Sequence, residues 1–145
     1  MSLASYAAKL MIKPQGPVEA ALFGHIWQQK PVETVLDELM RSEVHLYAQS
    51  TAEAIAGGAD PKPLVMGGKD GTPAMLVFTR AERCAAIAKQ MPAGSAAPLA
   101  MPFKDVLRWA PVELGLAINP GSALSVECSA AQMNGLRKQA GLFRP

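Results

Sequence analysis

Hydrophobic residues recur along this chain with two different periods, and each change of period marks a new element. Between Pro31 and Arg41, Val32, Val35, Leu36, Leu39 and Met40 fall at i, i+3, i+4, i+7 and i+8, which is one face of a helix. Pro31 suits the first turn of that helix and Glu33 its positive end, so an amphipathic helix with one buried stripe is predicted. From Glu43 to Ala48 the period drops to two, with Val44, Leu46 and Ala48 set against His45 and Tyr47, and a strand is predicted. Leu64–Met66 and Ala74–Phe78 read as two further strands joined by the glycine-rich loop Gly67-Gly68-Lys69-Asp70-Gly71. The second is apolar on both faces, as a central strand is.

Thr79 and Glu82 form a T-x-x-E capping box, which predicts a helix whose face of Ala81, Cys84, Ala85 and Ala88 can approach a sheet closely. Met91–Pro102, with three prolines and a Gly-Ser pair, reads as a loop, and Lys104–Trp109 as a short helix stopped by Pro111. Leu114, Leu116 and Ile118 line one face of a strand, with Gly115 and Ala117 on the other. Pro120-Gly121 supplies the backbone angles of a type II turn, and a hairpin returns through Leu124, Val126 and Cys128, alternating with Ser125 and Glu127. Ser129 with Gln132 is a second capping box, opening a final helix through Lys138. The sum is an α+β fold: a single domain over 30–145, with a mixed or antiparallel sheet of about five strands and helices packed on it.

Residues 1–29 form an amino-terminal arm, helical in part. If Pro17–Gln28 is a helix, Val18, Leu22, Phe23, Ile26 and Trp27 make a broad apolar band that must be covered. Either the domain's own sheet covers it, or Leu22, Phe23, Ile26 and Trp27 are a contact surface for a second chain.

Composition narrows the functional classes. Half of the 145 residues are hydrophobic and 18% are charged, enough for a core that needs no covalent staple. Two cysteines, Cys84 and Cys128, are too few for a disulfide framework and lack zinc or redox spacing. A net charge of +2 with scattered Lys and Arg gives no nucleic-acid surface, and no apolar run reaches membrane-spanning length. A soluble cytoplasmic protein is expected, with a protein partner or further copies of itself as its contacts.

No catalytic constellation stands out. Gly67-Gly68-Lys69-Asp70-Gly71-Thr72 lacks phosphate-loop spacing and leads into a strand, so it reads as a hairpin. His25 and His45 are the only histidines and neither sits in a triad motif; Cys84 lies among alanines as a small hydrophobe; Asp37 and Glu38 lie on a polar helix face. No catalytic residue, cofactor or metal is expected, and a non-enzymatic binding module is the leading reading. The competing one is a small-molecule sensor or an enzyme of amino-acid or sulfur metabolism, with His45, Tyr47 and the Asn119 turn converging on a pocket.

From about Val32 to Lys138 the order of elements resembles the amino-terminal domain of the SseB family, the enhanced serine sensitivity proteins of bacteria. The residues that carry the likeness are Phe78-Thr79 after one hydrophobic strand and Ile118-Asn119-Pro120-Gly121 after another. The resemblance implies a cytoplasmic α+β module without established catalytic residues, linked by name to serine sensitivity and suited to interaction or regulation. Fuller members of that family carry a second, carboxy-terminal domain.

Overall fold

A computed structural model describes residues 14–48, 57, 64–67, 71–88 and 97–142. Among the described residues, two helices come first, α1 (Gly16–Trp27) and α2 (Val32–Leu39), followed by strands β1 (Glu43–Ala48), β2 (Val65–Gly67) and β3 (Pro73–Val77). Helix α3 (Ala81–Ala88), strand β4 (Ala97–Pro102) and helix α4 (Phe103–Trp109) lead to β5 (Gly115–Ile118), β6 (Val126–Cys128) and α5 (Ala130–Gln139). The architecture is α+β, as the hydrophobic pattern predicts.

Four strands form a mixed sheet in the order β2-β3-β5-β6. β2 and β3 are the antiparallel hairpin expected of the glycine-rich loop; β5 runs parallel to β3 and antiparallel to β6. Because β3 and β5 are parallel, the chain must cross over between them, and α3, β4 and α4 fill that crossover. β1 and β4 form a separate antiparallel pair. It is tied to the main sheet where His45 and Phe78 exchange backbone hydrogen bonds at 2.8 and 2.7 Å and the Leu64 N–H donates to the Tyr47 carbonyl at 3.1 Å.

Two expectations are corrected here. Met91–Pro102 is not loop throughout, since 97–102 is strand β4 despite its prolines. The register explains the tolerance. His45 spends its backbone groups on Phe78, so its neighbours of the same parity, Glu43 and Tyr47, also turn theirs away from β4. Pro98 and Pro102 face those two residues, so the donors they lack belong to the outer edge of the pair. The second correction concerns Pro31, which takes the N-cap position of α2 instead of its first turn.

The core joins both sheets to the helices. Val35 and Leu39 from α2, Val44 and Leu46 from β1, and Leu116 and Ile118 from β5 are fully buried. α5 opens with the predicted capping box: the Ser129 N–H donates to Gln132 Oε1 at 2.8 Å and the Gln132 N–H to Ser129 Oγ at 3.1 Å. At its far end the buried Arg137 donates to the Leu107 and Ala110 carbonyls at 2.9 and 3.0 Å, closing the carboxy-terminal end of α4.

Candidate functional site

The parallel register of β3 and β5 places Val77 opposite Ile118, so the segments that follow, Phe78-Thr79-Arg80 and Asn119-Pro120-Gly121, leave the sheet side by side. Helix α1 lies across this end and inserts Glu19, which is completely buried. Its carboxylate accepts from Thr79 Oγ1 at 2.6 Å, Arg80 Nε and Arg83 Nε at 2.9 Å each, and Arg83 Nη2 and the Gln15 N–H at 3.2 Å each.

The hydrogen bonds close into a ring. Thr79 gives its proton to Glu19 in the short bond, so its oxygen accepts from Asn119 Nδ2 at 3.0 Å. The same amide nitrogen donates to the Leu124 carbonyl at 3.2 Å, while Asn119 Oδ1 accepts the Thr79 N–H at 3.0 Å. Arg83 Nη1 reaches Ser122 Oγ at 2.9 Å, and that hydroxyl also accepts the Leu124 N–H at 3.1 Å. Asn119 sits at φ +50°, a left-handed conformation that asparagine tolerates better than most residues. The turn beyond it closes through the Ser122 N–H to the Asn119 carbonyl at 3.1 Å, with Gly121 at φ +81° as the predicted type II turn requires.

Burial alone would raise the Glu19 pKa. Hydrogen bonds from Arg83, Thr79 and the Gln15 N–H, with the Arg83 charge, outweigh it and hold the carboxyl at about 2. Among the described residues no buried side-chain nitrogen or oxygen lacks a hydrogen-bond partner. The cluster is a fastened joint between α1 and the strand ends.

This ring corrects the reading of Thr79. α3 begins at Ala81, and the Thr79 side chain is engaged with Glu19 and Asn119 in place of a capping box with Glu82. Sequence reasoning missed Glu19, Arg80, Arg83 and Ser122 as a group. The available signal was a lone carboxylate inside the apolar band of α1, between Val18 and Leu22.

Of the residues expected to meet a partner, Leu22 is fully buried in the chain's own core and presents no surface. Phe23, Ile26 and Trp27 pack against the core while remaining half-buried, with the Phe23 and Trp27 rings 5.2 Å apart at 39°. His25 is bound locally, its Nδ1 lying 2.8 Å from the Lys30 carbonyl oxygen.

The expected meeting of His45, Tyr47 and Asn119 is only half realised. His45 and Tyr47 line a cleft of about 340 Å³ with Ala81, Cys84 and Ala85, while Asn119 belongs to the buried ring. In that cleft Tyr47 and Cys84 are neighbours. Burial pushes the Cys84 thiol up to about 11 against the smaller, opposing effect of the Tyr47 hydroxyl, so the thiol is protonated and unreactive at neutral pH. Cys128, buried beside Gly115, is likewise pushed up to about 11 by burial. Among the described residues, no group of three or more His, Cys, Asp or Glu gathers as metal ligands, and no helix is long and apolar enough to cross a membrane.

A family model described as SseB protein N-terminal domain matches residues 7–133. No curated protein and no solved structure matches the chain.

Proposed function

The chain belongs to the SseB family through its N-terminal domain, and from that footing we propose that it is a non-enzymatic protein-interaction or regulatory module of the cytoplasm. The ring around Glu19 is the observation that carries this reading. Its acid, the Arg83 guanidinium, its hydroxyls and its carboxamide are spent on one another, which suits fastening and leaves no base beside a nucleophile. What the ring fastens is α1, whose Phe23, Ile26 and Trp27 keep part of their surface in solvent. A second protein seated along that helix is the occupant this reading commits to. Serine or sulfur metabolism, which the family resemblance suggests, is the process in which to seek it.

Capture from a native lysate tests the reading when variants are run beside the parent chain. A stoichiometric partner is expected on the parent and is retained at least tenfold less by a folded Phe23→Ala/Trp27→Ala variant, since truncated aromatic anchors cost more than about 1 kcal/mol at an interface. Equal retention by both, or no stoichiometric partner at all, would overturn it.

One observation favours a second reading, a small-molecule sensor or minor enzyme of amino-acid metabolism. That is the cleft where His45 and Tyr47 face Cys84. Saturable thermal stabilisation by serine or a related metabolite is its expected signature, and a flat response across such compounds counts against it.

A further inference from the structure

The Glu19 joint is not electrically balanced. One carboxylate, drawn wholly inside, faces two guanidinium groups that keep 29% and 21% of their side-chain surface in solvent. Arg83 is largely consumed, with Nε and Nη2 on Glu19 and Nη1 on Ser122. Arg80 is not. Only its Nε is engaged among the described residues, and Glu19 is the only carboxylate paired with it there. Its two terminal nitrogens therefore carry four N–H donors in a planar fork, the geometry that takes a carboxylate through two parallel hydrogen bonds.

The position of that fork relates it to the apolar stripe. Glu19, which holds Arg80 by Nε, shares a helix face with Phe23 one turn on and Ile26 two turns on, and Trp27 flanks them. A cationic fork thus stands beside Glu19 near the amino-terminal end of α1, and half-buried aromatic and aliphatic side chains follow along the same helix. A segment with the opposite arrangement, a carboxylate followed by apolar side chains, is complementary to both parts. We infer that Arg80 is the specificity element of the α1 surface and that the partner presents an acidic, apolar protein segment whose carboxylate meets this guanidinium.

The inference rests on the reading of α1 as a protein-contact surface, and it has its own test. The probe is a short capped peptide of glutamate and leucine, with its lysine–leucine counterpart as control, titrated into the whole chain while the ¹⁵N–¹H signals of Arg80 Nε and Trp27 Nε1 are followed. The expected result is saturable movement of both signals with the glutamate peptide and not with the lysine peptide. Binding should weaken at least tenfold in Arg80→Gln, and in the parent it should fall as salt rises. Arg83 still holds Glu19 in that variant, so the fold is retained and unfolding does not mimic the loss. Equal response to both peptides, an undiminished response in Arg80→Gln, or no saturable movement would overturn the inference. Capture of a partner that depends on Phe23 and Trp27 but not on Arg80 would sink the inference alone and leave the interaction module standing.

Discussion

Glu19→Gln is expected to lower the stability of the folded chain by about 3 kcal/mol, read as a shift of the urea midpoint with an unchanged slope. An amide keeps the shape of the side chain but replaces one oxygen with a donor, which then faces Arg or backbone N–H groups, and it removes the one carboxylate paired with the two guanidinium groups among the described residues. Breaking a buried pair costs about 3–5 kcal/mol; here the arginines keep a fifth or more of their surface in water, which recovers part of their hydration and favours the lower end. The pKa gives the same size independently: a carboxyl held at about 2 against an ordinary 4.5 contributes about 3 kcal/mol when ionised in both states. The folded pKa is depressed, so this stability is fully present above about 4.5 and disappears as pH falls from there to about 2. Glu19→Gln should lack that part of the acid dependence. A variant as stable as the parent at neutral pH would show that the ring fastens nothing.

Gly115→Ala is expected to cost a similar amount, about 3 kcal/mol, by a different route. A Cβ built on Gly115 would lie 2.6 Å from the carbonyl oxygen of Cys128, a backbone atom that no rotamer change can move. Cys128 pairs with Leu116 at the end of β6 and is followed at once by Ser129, the N-cap of α5. The strand end and the start of the helix must therefore shift together. For a chain of this size the melting temperature should drop by roughly 10 °C. Gly135→Ala is the matched control, because it lies inside α5 with nothing within 4 Å of the added carbon and gains helix propensity. A parent-like melting temperature for Gly115→Ala would mean that β6 yields at no cost.

What could be read from the chain follows from where each signal has its partner. The stripe of α2 and the alternation of β1 are local patterns that one buried face accounts for, and both elements lie where the pattern puts them. Likewise the Ser129–Gln132 box has both partners within one turn. Thr79 shows the opposite case: its T-x-x-E pattern promises a local cap, but the hydroxyl goes to Glu19, 60 residues away. β4 was hidden by its prolines, which suggest loop unless the register that turns their missing donors outward is known. Glu19 was hidden by its company, since a carboxylate inside an apolar band acquires meaning only through Arg80 and Arg83, 61 and 64 residues on. The two motifs after β3 and β5 were legible as turn chemistry, whereas their meeting depends on the parallel pairing of those strands.

Glu19 is the buried, ionised pin that holds α1 to the strand ends. Titration of its side-chain carboxyl carbon by ¹³C NMR in the folded protein reads that ionisation at the atom concerned. A midpoint near 2 is expected, with the Arg80 and Arg83 Nε signals moving in the same step. A midpoint near 4.5, with the arginine signals indifferent to it, would mean that the guanidinium groups do not hold this carboxyl.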